Sequence, residues 1–188
     1  ADEAILLTDT RFAGADTLAT SYTLAKGIEK LSYFDLIICG KQAIDGDTAQ
    51  VGPGLAEKLG IPHVCYVRKI VEIRDEGDQS LISVERMMED GYDLLAMFLP
   101  ALITVVKEIN VPRLPSLRGL AKAKSSLMPV WTAKELGVDK NMVGLSGSAT
   151  RVIKIFFPQR VRRGEILKGE LESQVTCLID KLRETKVI

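Results

Sequence analysis

The sequence predicts an α/β protein: an open doubly wound sheet, mixed toward its C-terminal half, followed by an extended arm and a final helix. Three observations point there. Apolar strand-like runs alternate with helical periods up to Val67. The pattern then changes to the two-residue alternation of a hairpin. From Asn110 onward prolines break the chain until an apolar stripe returns near its end.

The chain opens on a strand pattern, Glu3 to Asp9, with no initiator methionine and no leader, so an N-terminally truncated polypeptide is expected. Gly14 to Leu31 reads as a helix with Leu18, Tyr22, Ala25 and Ile28 at helical spacing and Asp16 or Thr17 able to cap it. Asp35 to Gly40 is a short apolar run ended by glycine, as in a strand covered on both faces. A polar loop leads to a short helix over about Val51 to Leu59, with Pro53 in its first turn and Gly60 just past its end. His63 to Val67 supplies another strand. Strand, helix, strand, loop, helix, strand is the βαβ order of a doubly wound sheet.

Ile70 to Arg74 and Leu81 to Glu85 flank Asp75-Glu-Gly-Asp78, a hairpin signature. Tyr92 to Phe98 and Ala101 to Val106 are two more strands, or one broken at Pro100. Residues 1–110 therefore form the expected α/β domain. In 111–188, Pro112, Pro115, Pro129, Pro158 and Ser146-Gly-Ser148 argue for an arm. Leu171, Val175, Leu178 and Leu182 then make the docking stripe of a terminal helix.

Composition limits the function. Of 188 residues 46% are apolar, enough for one domain with a core, and 25 basic residues match 25 acidic ones. This balance gives no reason to expect nucleic acid as an obligatory partner. Cys39, Cys65 and Cys177 are widely spaced and form no Cys-x-x-Cys pair, which argues against a disulfide framework or a zinc site and fits a reducing cytoplasm. The apolar stretch Leu94 to Val106 is interrupted by Pro100 and is shorter than the ~20 residues a membrane span needs.

The informative stretch is Gly40-Lys-Gln-Ala-Ile-Asp-Gly-Asp-Thr-Ala-Gln-Val-Gly-Pro53, which leaves a buried strand at its C-terminal end and enters a helix. Ligands bind at that position in open α/β sheets. Gly46 and Gly52 allow close backbone approach, Thr48 and Gln50 offer hydroxyl and amide groups, and the helix start near Val51 offers free N–H groups to a phosphate. The same stretch reads equally well as a polar turn whose Asp and Thr cap a helix. It matches neither the P-loop nor the Gly-x-Gly-x-x-Gly pattern.

No catalytic residue is predicted. His63 beside Pro62 suits a structural role, Glu89, Asp90 and Asp93 around Gly91 suit a charged turn rather than a metal site, and no Gly-x-Ser-x-Gly elbow is present. Arg160, Arg162, Arg163 and Lys168 form a basic cluster without interleaved aromatics, better suited to an acidic partner than to nucleic acid.

The sequence resembles the β subunit of electron-transfer flavoproteins over most of its length. The resemblance is carried by GKQAIDGDTAQVGP at 40–53, VERMMEDGYDLLAMFLPALIT at 84–104, VPRLPSLRGLAKAK at 111–124 and LRETKVI at 182–188. Asp93 departs mildly from a family position that usually holds Glu or Gln. The resemblance implies a domain of the adenine-nucleotide α-hydrolase-like type, paired with an α subunit that the arm and terminal helix embrace. It implies that Gly40, Lys41, Gln42, Ala43, Asp45, Gly46, Asp47, Thr48, Ala49, Gln50 and Val51 wrap AMP or a second FAD, with Ala43, Thr48, Gln50 and Val51 nearest the pyrophosphate.

The segment from Val111 to Lys124 looks like the loop that docks an acyl-CoA dehydrogenase. Leu117 stands in the anchoring place, Pro115 and Arg118 flank it, and Lys122 and Lys124 add positive charge for steering. Asp9 to Thr17 and DGDTAQVG resemble the FAD-containing, electron-bifurcating branch, with NADH as donor and the Arg11 to Thr17 loop near the flavin. A bacterial, cytoplasmic electron carrier rather than an enzyme is the implied function. Compared with the family, the chain lacks an N-terminal βαβ portion. An incomplete nucleotide site and an unpaired sheet edge are therefore expected.

Two other readings stay open on the residues. A nucleotide-sensing module of the same fold would carry no electrons. An adenylating enzyme of the pyrophosphatase type would need a Ser-Gly-Gly-x-Asp-Ser loop, which is absent from the sequence.

Overall fold

The chain is seen in a computed structural model that describes residues 1–157 and 164–187. Its contacts divide it into two units, Ala1–Arg151 and Val152–Ile188.

In the first unit, β1 (Leu6–Leu7) precedes α1 (Thr17–Leu31), β2 (Leu36–Gly40) and α2 (Val51–Leu59). Strands β3 (His63–Glu76), β4 (Gln79–Met88), β5 (Gly91–Phe98) and β6 (Ala101–Val105) follow, then α3 (Leu117–Ser125) and β7 (Val130–Trp131). The main sheet has the order β2-β6-β3-β4-β5. β2, β6 and β3 run parallel, and β4 and β5 extend the sheet antiparallel to β3. The sheet is mixed as expected, and the hairpin closes between Glu76 and Gln79 around Gly77.

Strand β6 is central, with Ala101, Leu102 and Ile103 fully buried and Thr104 nearly so. Its continuous apolar run is what a parallel strand covered on both faces requires. Leu102 joins Ala25 of α1 and Leu55 and Ala56 of α2 in one cluster, with Ile37 and Cys39 of β2 beside them. Ala101 and Ile103 point the other way, into a cluster of Val64, Val67, Ile82, Val84 and Met97. Val64 and Val67 are three apart and would lie on opposite faces of a regular strand. The register shift between them, a β-bulge, returns both to one core.

Several expectations change. Both α1 and α2 lie on the Leu102 face, so among the described residues the sheet is wound by helices on one side. Its other side is packed from strand residues with Ile109 of a 3-10 turn. The strand expected over Glu3 to Asp9 is only Leu6–Leu7, and it pairs with β7 instead of joining the main sheet. β2 is an edge strand, with Ile38 exposed.

The first unit also extends past Asn110. Ala133, Leu136 and Val143 are buried, and the segment is held by carboxylates of the N-terminal turn. Asp9 Oδ2 accepts from the N–H of Ala133 at 3.0 Å, and Asp16 Oδ2 from the N–H and hydroxyl of Thr150 at 2.9 and 3.2 Å. Gly144, at φ +53, lies where a Cβ would stand 2.1 Å from the Arg11 carbonyl oxygen.

The second unit contains α4 (Leu171–Glu184), the expected terminal helix, which buries none of its residues. Lys181 pairs with Glu165 at 2.5 Å. Pro158, Arg160, Arg162 and Arg163 lie outside the described residues.

Candidate nucleotide site

The C-terminal end of β2 delivers the chain into the loop Lys41–Gln50, beside the end of β6. The N–H of Lys41 still donates to the Val105 carbonyl at 2.9 Å, so the loop departs only after the parallel ladder is complete. A turn follows, closed by the Asp47 N–H on the Ala43 carbonyl at 3.0 Å and by the Gln42 amide on the Asp47 carboxylate. Asp45 accepts from the N–H of Gly46 at 3.0 Å. Asp47 and Ala49 have φ of +48° and +54°. Alternation of this kind between ordinary and left-handed residues turns successive N–H groups toward one side, forming a nest for an anion.

Among the described residues, the N–H groups of Thr48, Ala49, Gln50, Val51 and Gly52 donate no hydrogen bond. The cap residue Gln50 also leaves α2 uncapped. Its side chain turns instead to α1, where Gln50 Oε1 accepts from the Thr17 hydroxyl at 2.9 Å. Ser21 Oγ ties the same two helices, bonding the carbonyls of Thr17 and Val51 at 2.7 and 3.2 Å. The starts of α1 and α2 are thus brought together at the loop, and each contributes the positive end of a helix dipole.

Gly52 makes that seat possible. A Cβ there would stand 2.4 Å from Thr104 Cγ2, so only glycine lets the first turn of α2 lie against β6.

The loop brings the predicted residues Gly40, Lys41, Gln42, Ala43, Asp45, Gly46, Asp47, Thr48, Ala49, Gln50 and Val51 into one stretch, nearly all of it exposed. Its donors suit the group that the resemblance implies. Free amides and two helix starts fit phosphate, while the Asp45 and Asp47 carboxylates can accept from ribose hydroxyls but work against further negative charge.

Pro115, Leu117 and Arg118 lie elsewhere, around the start of α3, where Ser116 caps the helix by accepting from the N–H of Gly119 at 3.0 Å. Leu117 is 88% exposed. No helix was expected here, although serine followed by Leu-Arg-Gly-Leu-Ala-Lys-Ala-Lys contained the signal for one. His63 is an exposed first residue of β3, and Glu89 and Asp90 make the turn between β4 and β5. No described helix is long and apolar enough to cross a membrane.

Beside the loop lies a cavity of about 790 Å³ that sequence reasoning missed, walled by Lys41, Tyr66, Arg86, Met88, Tyr92 and Val106. Tyr66 sits in the β3 bulge at φ +62, its N–H donating to Thr104 Oγ1 at 3.1 Å. The Lys41 ammonium is 5.4 Å from the centre of the Tyr66 ring, and the Arg68 guanidinium 5.2 Å from that of Tyr92. The only signal in the sequence was an arginine two residues after Val84, facing the otherwise apolar Val67 across the ladder.

An amide-lined loop at the C-terminal ends of parallel strands, with two helix starts converging on it, defines a nucleotide-binding α/β protein. Comparison with known sequences narrows the class. The profile of the electron transfer flavoprotein domain matches residues 1–136. Across all of this chain and 70% of the relative, identity is 51% over 189 residues to the electron transfer flavoprotein subunit beta of Thermoanaerobacterium thermosaccharolyticum. It is 43% over 189 residues, with the same coverage, to the caffeyl-CoA reductase-Etf complex subunit CarD of Acetobacterium woodii. To protein FixA of Azotobacter vinelandii it is 44% over 174 residues, 90% of this chain and 61% of that protein. The chain belongs to the electron transfer flavoprotein β-subunit family, and its function is electron transfer. An association with flavin or nucleotide comes with that membership.

Proposed function

We infer that this chain is a non-catalytic electron-carrier subunit of the adenine-nucleotide α-hydrolase-like type, with a nucleotide at the Gly40–Val51 loop. The supporting observation is the row of five backbone N–H groups, Thr48 to Gly52, that donate to nothing among the described residues. Thr48, Ala49, Gln50 and Val51 would hold a phosphate or pyrophosphate through these amides. Lys41 would add positive charge, and Asp45 would accept from the ribose. The bound flavin would supply the redox chemistry; the protein binds and orients it.

FAD is the proposed occupant, with AMP as the alternative and NADH as a possible donor, on the resemblance of Asp9–Thr17 and DGDTAQVG to the bifurcating branch. The proposed partners are an α-type subunit, met by α4 and the arm, and an acyl-CoA dehydrogenase, met by Pro115, Leu117 and Arg118 in a bacterial cytoplasm. Relatives whose names place them in reductase complexes, such as CarD and the acryloyl-CoA reductase electron transfer subunit gamma of Anaerotignum propionicum, support a role within a larger assembly.

The test is to purify the protein with its α-type subunit, denature the complex and quantify the released FAD and AMP. Two flavins per heterodimer are expected. One flavin with one AMP would replace FAD by AMP at this loop, and the absence of any nucleotide beyond one flavin would overturn the site. Thr48→Val should lower retention of the loop-bound nucleotide.

A further inference from the structure

We propose that the cavity beside the loop receives the ring end of a flavin nucleotide, and that Arg86 is the residue that distinguishes FAD from AMP there. This rests on the loop being the nucleotide site.

Four observations converge on the cavity. It adjoins the loop directly, since Lys41 is both the first loop residue and part of the cavity wall. A ligand whose phosphates lie on the Thr48–Gly52 amides can therefore continue into it without crossing protein. Its volume of about 790 Å³ is within the ~300–1,000 Å³ typical of small-molecule sites and larger than a mononucleotide's phosphate alone requires.

Its walls suit a flat heteroaromatic ring. Tyr66 is turned by a bulge held at positive φ, a conformation uncommon outside glycine and one that collects at binding sites, and Tyr92 and Met88 complete an apolar lining. Finally, Arg86 Nε is buried and has no hydrogen-bond partner. A buried guanidinium N–H left unpaired is costly, and a ring carbonyl or ring nitrogen entering the cavity is the acceptor it lacks. The carboxylates of Glu89 and Asp90 lie at the exposed hairpin turn, where they favour a neutral acceptor edge over a second phosphate.

AMP ends at the loop and cannot reach Arg86, so the two ligands should respond differently to its loss. The experiment uses the heterodimer stripped of nucleotide, radiolabelled AMP, and FAD as competitor, because displacement of AMP reads only the site that AMP occupies. Arg86→Gln should weaken displacement by FAD at least about tenfold while AMP affinity stays within about twofold; Arg86→Lys should fall between. If Arg86→Gln fails to assemble, Lys41→Gln, at an exposed wall residue, carries the same test, with a smaller selective loss expected. Unchanged displacement by FAD, or equal loss for both ligands, overturns the proposal. Wild-type protein that binds AMP but is not displaced by FAD overturns it while leaving the loop intact as a nucleotide site, whereas failure to bind either ligand overturns both readings.

Discussion

Helix α2 buries Gly52, Leu55 and Ala56 against β6 and α1, whereas α4, longer and with an equally regular stripe, buries none of its residues. The sequences of the two helices do not announce that difference. Leu171, Val175, Leu178 and Leu182 are as evenly spaced as the core residues of any surface helix, yet Leu171 is 75% exposed and Leu178 49%. Periodicity reports that a face wants cover; it does not report which chain supplies it. The first helix is covered by its own sheet, and the proposed α-type subunit is what the second awaits.

The same substitution in both helices tests this. Leu55→Ala removes a side chain that is 2% exposed and should destabilise the protein by about 2–5 kcal/mol, visible as a lower denaturant midpoint with unchanged slope. Leu178→Ala should change the stability of the isolated chain by no more than about 0.5 kcal/mol, but weaken binding to the α-type subunit about tenfold. A comparable loss of stability from both would erase the distinction between the helices.

A smaller effect is expected from Gly52→Ala. Thr104 is 1% exposed and bound through its hydroxyl to the Tyr66 N–H, so it cannot move freely from an added methyl. Overpacking of this kind costs about 1–3 kcal/mol, and here it should also displace the start of α2, so nucleotide release should rise together with the loss in melting temperature. Melting temperature that falls with nucleotide retention unchanged would separate the seat of α2 from the binding loop.

Most of the main sheet was legible, because β2, α2, the hairpin and β6 each declare themselves locally. The run Leu36–Gly40, Pro53 with Gly60, and the alternation around Gly77 each follow from the geometry of a single element. What stayed hidden depends on residues far apart. The β1–β7 pairing joins two short strands, and the bulge at Tyr66 is set by two partners with incompatible registers. The loop was found because it sits where a strand ends and a helix begins; Arg86 was missed because an arginine in a strand normally reaches solvent. Helices on both faces were expected because βαβ order alone does not say which side each helix takes.

Residues 126–151 were read as arm because proline and glycine interrupt them, yet their order comes from polar clasps that leave no periodic trace. Asp9 gives the cleanest test of the difference between this folded segment and the exposed arm. The Arg11 side chain and backbone N–H, with a further bond from Ala133, hold its carboxyl at about 2, below the ordinary 3.8. A depressed folded value means that the clasp contributes fully above pH ~4 and is lost as pH falls toward ~2. Asp9→Asn should therefore lower the melting temperature slightly at pH 7, and the gap from wild type should close by pH 2–3. A gap that persists at low pH would show that Asp9 holds the segment through its shape and neutral hydrogen bonds, with its charge contributing nothing.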